Sequence, residues 1–264
     1  GVKGLYAMVG VVEKGYADVK FTARSKGGHA SAPGKNTPLV RLGRFMADIE
    51  DHPPFERRLS PTMEEMFRRL APNMGFGLKT VLTNLWLFRP ILLRVLPAIN
   101  ASAGAMTQTT LAFTTAKGSD GLNVLPQEAY VTGNMRLIQH QAGPESFEAV
   151  RRIAERYNIE TEVLYEDAPC PVVGYESKQF KLIEEITAKV YPGVQVSPYV
   201  MTGGTDAKFY KDLCPNCIRF APLYIDKQQY GSVHGLNENI FQGALPKGVD
   251  FYKGVIEKMA QIEA

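Results

Sequence analysis

Residues 13–33 read EKGYADVKFTARSKGGHASAP and contain the first strand of the fold together with the loop that follows it. Within this stretch, residues 16–23 alternate apolar and polar side chains, which is typical of a half-buried β-strand. The glycine-rich residues 25–36 end that alternation. A helix is predicted from Thr37 to Glu50, because apolar side chains recur there at helical spacing and Pro38 suits its first turn.

The remaining elements of this unit follow after a long interruption. Strand patterns return at Thr109–Thr115 and Glu128–Ile138, a helix is predicted over Pro144–Tyr157, and a last strand over Ile159–Tyr165. Without the interruption the order is β-α-β-β-α-β. This order predicts a ferredoxin-like, split βαβ unit, in which a four-stranded sheet carries both helices on one face.

The interruption, residues 55–105, shows no strand alternation and is broken by Pro72, Pro90 and Pro97, so we expect an insertion of two or three helices. Its most apolar stretch, Val81–Ile99, also contains two arginines. A membrane span requires about 20 uninterrupted apolar residues. We therefore expect a buried or surface-lying amphipathic helix here and no membrane span.

The C-terminal third of the sequence alternates helix and strand. A helix is predicted at Phe180–Val190, a strand at Val194–Met201, a strand around Ile218–Pro222 and a terminal helix at Val249–Ile262. The N-terminal segment Tyr6–Val12 is expected to add one more strand. This pattern is typical of an α/β sheet, and it predicts that the split βαβ unit is inserted into a larger α/β domain.

Charge and cysteine content exclude two classes of protein. With 30 basic and 27 acidic residues the formal charge is only +3, which does not indicate a nucleic-acid-binding protein. Three cysteines in 264 residues do not form the framework of a disulfide-rich protein. They favour a reducing, cytoplasmic compartment without fixing the localisation, and no targeting signal is recognisable in the first residues.

Two of the four histidines are candidates for chemistry. His29 lies in GGHASAPG, where it is either a solvated loop residue or an imidazole that donates a hydrogen bond to developing negative charge. His234 lies in SVHGLNEN and is either structural or a metal ligand. No HExxH motif accompanies it, and a self-contained zinc site needs three or four ligands.

Further residues suit an anionic substrate. In TGGTDAKFY, Gly203, Gly204 and Thr205 either present backbone N–H groups to a carboxylate or serve the geometry of the turn alone. Arg136 interrupts an apolar strand and needs a partner, which is either a structural acid or a substrate carboxylate. Asn123 lies in the turn before that strand and can reach the same space.

Cys214 and Cys217 have the Cys-X-X-Cys spacing of a redox or zinc-binding pair. A second such pair is missing from the sequence. The pair also precedes a predicted strand, whereas a redox motif opens a helix. A thiol enzyme therefore stays an alternative that the spacing suggests and the surrounding sequence does not support.

Four segments, taken in order, resemble one family. They are residues 13–33, quoted above, GLNVLPQEAYVTGNMRL (121–137), GGTDAKFY (203–210) and SVHGLNENI (232–240). Together they are similar to the lid and C-terminal segments of the dizinc aminoacylase/carboxypeptidase family. The helical insertion resembles that of its carboxypeptidase S and N-acyl-amino-acid hydrolase branch, and the resemblance covers essentially the whole chain.

The resemblance implies a reaction and a role for each candidate residue. The reaction is hydrolysis of an amide bond next to a free amino-acid carboxylate, with two zinc ions, an activated water and a glutamate base. By resemblance, His234 is the last metal ligand, and His29 reaches across a homodimer to the oxyanion of the partner's substrate. Asn123 and Arg136 bind substrate, and the turn Gly203, Gly204, Thr205 lines the carboxylate pocket.

The resemblance also implies a division of the chain. Residues 15–168 form the dimerisation or lid domain, with the helical insertion at about 55–105 and the dimer surface on the outer strand and first helix. Residues 1–14 and 169–264 form a partial catalytic domain.

The metal centre, in contrast, is expected to be incomplete. The family's HxD motif, bridging aspartate, Glu-Glu pair and further acidic ligand have no counterpart in these 264 residues. We therefore expect this polypeptide by itself to bind no zinc stably and to be inactive, while the parent enzyme acts on an N-acyl amino acid or a peptide. A non-catalytic dimerisation module is the alternative.

Overall fold

The computed structural model describes the backbone of residues 2–262 and the side chains of residues 2–260. The strands are β1 (Tyr6–Glu13), β2 (Gly15–Arg24), β3 (Gly28–His29), β4 (Thr110–Lys117), β5 (Val124–Leu125), β6 (Glu128–Leu137), β7 (Glu160–Asp167) and β8 (Gln195–Met201). The helices are α1 (Pro38–Asp51), α2 (Pro61–Leu70), α3 (Phe76–Thr83), α4 (Leu85–Ile99), α5 (Ala101–Ala105), α6 (Gly143–Arg156), α7 (Lys178–Val190), α8 (Lys227–Ser232) and α9 (Leu245–Ile262).

The larger sheet confirms the predicted split βαβ arrangement. Its strands are antiparallel in the order β4-β6-β2-β7, and α1 and α6 pack together on one face. Ala17, Val19 and Phe21 of β2 point into this core, where the rings of Phe21 and Phe45 lie 4.8 Å apart. The period-2 alternation of β2 and β6 leaves their polar side chains on the opposite face.

The second sheet consists of the parallel pair β1 and β8, with a helical layer on each side. Val9 and Val11 pack toward α7 and α9, whereas Val12 and Val200 pack toward the helical insertion, which includes α2. Burial on both faces explains the almost continuous apolar run of β1, which is typical of a parallel sheet. The predicted α/β character of this part is therefore confirmed.

Gly15 joins the two sheets. It is the first residue of β2 and follows the end of β1 by two positions, and a Cβ atom here would lie 2.6 Å from the carbonyl oxygen of Asp167 and 2.7 Å from the nitrogen of Pro169. These distances are shorter than any side chain tolerates. Only glycine therefore lets the chain pass from one sheet to the next at this point.

Two sequence predictions need correction. The insertion contains four helices, α2 to α5, and not two or three. Pro90 and Pro97 both lie inside α4, about two helical turns apart. Because of this spacing, the two missing backbone hydrogen bonds lie on the same side of the helix, and the helix continues past both prolines. The sharp break instead lies at Asn84, where α3 and α4 meet at an angle of 112°.

The strand predicted around Ile218–Pro222 is also wrong. In the described chain this segment makes a single antiparallel bridge, between Arg219 and Gly10 of β1. Gly10 has no side chain, which allows the two backbones to approach; its Cβ would lie 3.1 Å from Arg219. The next residue that could pair with β1 on this side is Ala221, but its carbonyl oxygen accepts from the N–H of Leu223 at 2.8 Å, so the chain turns here and the ladder does not extend.

The described residues contain no single helix that is both long and apolar enough to cross a membrane. Only α3 and α4 taken together reach that length and composition, across their bend of 112°.

Lys14 ties the start of the larger sheet to the end of the insertion. Its side chain is buried, and Nζ donates to the carbonyl oxygens of Ala105 at 3.0 Å and Gln108 at 2.8 Å. Burial lowers the pKa of Lys14 from its usual 10.5 to about 7, and the positive charge of Arg136 adds to this effect. Folding therefore opposes protonation of this amine.

This pKa has a consequence for stability. Between about pH 7 and pH 10.5 the unfolded chain binds a proton at Lys14 that the folded chain lacks, so the free energy of unfolding rises with pH in this window. The contribution is about 1.4 kcal/mol per pH unit. In urea unfolding, Lys14→Met is expected to lose this slope, and Lys35→Met, at an exposed loop lysine, is expected to keep it. Equal slopes in the wild type and Lys14→Met would contradict the assignment.

Candidate functional site

Glu13, the last residue of β1, is a buried carboxylate with three donors around it. One oxygen accepts from the backbone N–H of Thr205 at 2.8 Å, and the other accepts from Thr205 Oγ1 and from Arg219 Nε, the latter at 3.2 Å. The side chains of Glu13 and Arg219 are only 2% and 4% exposed. A buried charge requires such pairing, so Glu13 fixes the position of the loop that contains Thr205.

The loop held by Glu13 faces Arg136. A Cβ atom added to Gly204 would lie 3.6 Å from Arg136 Nη1 and 3.8 Å from Glu13 Oε1. Gly204 is exposed, and a Cβ atom added to its neighbour Gly203 would meet nothing within 4 Å. Glycine therefore leaves open the space directly beside the guanidinium of Arg136.

The guanidinium of Arg136 is oriented by its neighbours on the polar face of the larger sheet. Nε donates to Asn134 Oδ1 at 3.1 Å, and the guanidinium lies 4.8 Å from the ring centroid of Tyr16. Asp18 in turn accepts from Asn134 at 2.9 Å and from the hydroxyl of Tyr16 at 3.0 Å. No carboxylate of the described residues lies within 4 Å of Arg136, so its terminal nitrogens are available to an anion.

His29 and Asn123 lie side by side at a separate short strand pair, which β3 forms with β5. In the β3–β5 pair His29 stands opposite Val124, and the N–H of Ala30 donates to the carbonyl oxygen of Asn123 at 2.9 Å. The N–H of Ser31 donates to His29 Nδ1 at 3.2 Å. In the neutral imidazole the proton is then on Nε2, where the exposed ring can donate it to an external acceptor.

His234 lies in the loop between α8 and α9. It is exposed and has a left-handed backbone with φ of 61°, and its N–H donates to Glu238 Oε2 at 3.1 Å. A positive φ is uncommon for a residue other than glycine and often marks a functional position. Residues 2–262 bring no group of three histidine, cysteine or acidic side chains together that could hold a metal. As a donor set, they do not fit a zinc site by themselves.

The two cysteines of the Cys-X-X-Cys pair do not have the features of a redox motif. Cys217 Sγ donates to the carbonyl oxygen of Cys214 at 3.1 Å. Burial raises the pKa of the Cys217 thiol, and the neighbouring Cys214 raises it further. Redox and nucleophilic cysteines need the opposite shift, so the thiol-enzyme alternative gains no support.

The site residues predicted from the sequence thus lie in three places. Arg136, Gly204 and Thr205 come together, His29 and Asn123 lie at the β3–β5 strand pair, and His234 lies in the loop after α8. Sequence reasoning missed Glu13 and Arg219. Glu13 does leave a signal, because an acidic residue directly after the buried apolar run of β1 needs a partner for its charge.

The comparisons with known proteins agree with the fold. The family model of the peptidase dimerisation domain of M20 peptidases matches residues 11–162. Over 264 residues the chain is 31% identical to the N-fatty-acyl-amino acid synthase/hydrolase PM20D1 of Xenopus tropicalis, covering 97% of the chain and 50% of that protein. It is 29% identical to the probable carboxypeptidase S-like 2 of Dictyostelium discoideum, covering 97% of the chain and 49% of that protein.

A solved structure has a similar fold. The M20 family metallo-carboxypeptidase Sso-CP2 of Sulfolobus solfataricus superimposes with a TM-score of 0.60 at 17% identity, covering 96% of this chain and 61% of that one. The chain spans about half the length of the curated relatives it matches. The resemblance found in the sequence is confirmed: the chain belongs to the M20 peptidase dimerisation-domain family.

Proposed function

We propose that this chain supplies the dimerisation surface and the carboxylate-recognition side of an M20-type hydrolase that cleaves an amide bond next to a free amino-acid carboxylate. The observation that carries this proposal is the guanidinium of Arg136, which faces the open backbone at Gly204 and has no acidic partner in the described structure. Relatives named as a carboxypeptidase and as an N-fatty-acyl-amino acid hydrolase support the same substrate class, whose members share a free carboxylate.

In this proposal each residue acts through its hydrogen-bonding geometry. The terminal nitrogens of Arg136 bind the substrate carboxylate, and the loop of Gly203, Gly204 and Thr205 forms the wall of that pocket. Asn123 contacts the substrate from its position next to the β3–β5 strand pair. His29 donates from Nε2 to the oxyanion of the substrate held by the partner subunit, as an imidazole with a single donor can do.

The metal chemistry is proposed to depend on residues outside those described. His234 would be one ligand of a dizinc centre, and a zinc ion needs at least three protein ligands. The described residues offer no such set around it. We therefore propose that the 264-residue polypeptide by itself recognises substrate without hydrolysing it. Analysis of its zinc content together with a hydrolysis assay tests this proposal.

Carboxylate recognition is tested by calorimetric titration of the chain with N-acetyl-leucine and with its methyl ester. A charge-assisted hydrogen bond contributes about 1.5–3 kcal/mol, so the acid is expected to bind at least about tenfold more tightly than the ester. Arg136→Ala is expected to remove this preference. Arg151→Ala, at an arginine on α6 that pairs with Glu148, is the matched control and is expected to keep it.

Equal binding of acid and ester by the wild type would contradict carboxylate recognition. It would favour the alternative reading of the chain as a dimerisation module without a substrate site.

The surface proposed for dimerisation is formed by α1 and the edge strand β4. Leu39 and Val40 of α1 are exposed, and Leu39 lies beside the end of β4, 3.1 Å from the position of a Cβ on Gly118. A groove of about 430 Å³ continues between the end of α1 and β4. The outer edge of β4 has no partner strand in its sheet, so its backbone groups can pair with a second copy.

Self-association is tested by light scattering. We expect a mass about twice the 29.2 kDa of one chain. Val40→Glu places a charge in this surface and is expected to yield a monomer, because an unpaired charge in an interface opposes association. Val249→Glu, at an exposed valine of α9, is expected to remain dimeric. A wild-type monomer at micromolar concentration would contradict the proposed surface.

A further inference from the structure

The helices α3 and α4 carry an exposed apolar face that points away from the protein core. This outer face is defined by Phe76, Trp86, Leu87, Ile91, Val95 and Ile99. Phe76, Trp86 and Ile99 are 87%, 79% and 74% exposed. Leu87, Ile91, Val95 and Ile99 follow one another at intervals of four residues and form a stripe along α4. Exposed apolar side chains in such an arrangement mark an interaction surface.

The opposite face of α4 is already used by the fold. Leu85, Leu92, Leu93 and Leu96 pack against the core between α2 and the β1–β8 sheet. The orientation of α4 is therefore fixed, and the outer face is a second apolar surface rather than a core face seen in isolation. α4 therefore has apolar side chains on both faces, and those of the outer face are not covered by the described residues.

The charged residues of α3, α4 and α5 are all basic. No aspartate or glutamate occurs between Glu65 and Asp120 in the sequence, so α3, α4 and α5 contain none. Lys79 and Arg94 are exposed and form no ion pair with a described residue, whereas Arg89 pairs with Glu64. The electrostatic complement of this surface is therefore a negatively charged one.

From this combination we propose that the outer face of α3 and α4 docks on the surface of an anionic phospholipid bilayer. Tryptophan, phenylalanine and leucine on an apolar face, flanked by lysine and arginine, are typical of helices that lie in a membrane interface. Tryptophan, phenylalanine and arginine are enriched in protein interfaces as well, whereas lysine is depleted there, so Lys79 makes a protein interface the poorer match. With the bend of 112° at Asn84 both helices can lie along the bilayer surface, and Trp86 reaches the headgroup region.

The chain contains its own reporter, because Trp86 is its single tryptophan. Vesicles of phosphatidylcholine with phosphatidylserine are expected to shift its fluorescence to shorter wavelength and to protect it from acrylamide quenching. Ile91→Glu is expected to abolish both effects. Ile256→Glu, at an equally exposed isoleucine of α9, is the matched control and is expected to behave as the wild type.

The electrostatic contribution is tested with Lys79→Gln and Arg94→Gln. Each basic residue near an anionic surface contributes about fivefold to the binding constant, so each variant is expected to bind these vesicles about fivefold more weakly. Vesicles of phosphatidylcholine alone are expected to bind much more weakly than the anionic ones. Equal binding to both compositions would overturn an anionic surface as the partner.

A second result would also overturn the proposal. If Trp86 emits at short wavelength and resists acrylamide before vesicles are added, a protein surface covers the outer face, either a second copy or another polypeptide segment. Vesicle binding needs no hydrolysis, so neither result depends on the proposed enzymatic function.

Discussion

The buried carboxylate of Glu13 is the contact on which the arrangement of the candidate site depends. Its side chain joins β1 to the loop of Thr205 and to Arg219, residues that lie about 200 positions away in sequence. Its backbone oxygen accepts from Cys170 N at 3.2 Å and from Gln139 Nε2 at 2.9 Å. Removal of one partner from a buried ion pair leaves the other charge unpaired at a cost of several kcal/mol. The pairing of Glu13 therefore keeps the larger sheet, β1 and the C-terminal segment in one geometry.

In the proposed function, that geometry would place carboxylate recognition and metal binding on different parts of the protein. The proposed carboxylate pocket combines Arg136 of the larger sheet with the loop that Glu13 fixes in position. His29, on the β3–β5 strand pair, and His234, in the loop after α8, are both exposed. Exposed catalytic groups gain their partners from another surface, which for His29 is proposed to be the second subunit of the dimer.

The elements of the larger sheet could be predicted because a half-buried strand has a period of two and an amphipathic helix a period of 3.6. The alternation in β2 and the apolar spacing in α1 therefore locate both elements to within about one residue. Helix α4 was harder to delimit, because Pro90 and Pro97 resemble helix ends although the helix continues past them.

The contacts of the site were beyond sequence reasoning for a different reason. The pairing of Glu13 with Thr205 and Arg219 is purely tertiary: a charge beside an apolar strand pattern indicates that a partner is needed, but the pattern does not identify which residue it is. The segment of Ile218–Pro222 reads as a strand, but Arg219 directs its side chain to Glu13 and its backbone to Gly10 alone. Arg136 was identifiable because a charge within an apolar strand is costly unless it is paired.

In the proposed function, this polypeptide carries the recognition side and one metal ligand of a hydrolase, but not its metal centre. The most direct measurement is elemental analysis of zinc in the purified 264-residue polypeptide, made together with an assay of N-acyl amino acid hydrolysis. We predict substoichiometric zinc and no turnover, because His234 alone supplies too few ligands. About two zinc ions per chain together with turnover would contradict the account.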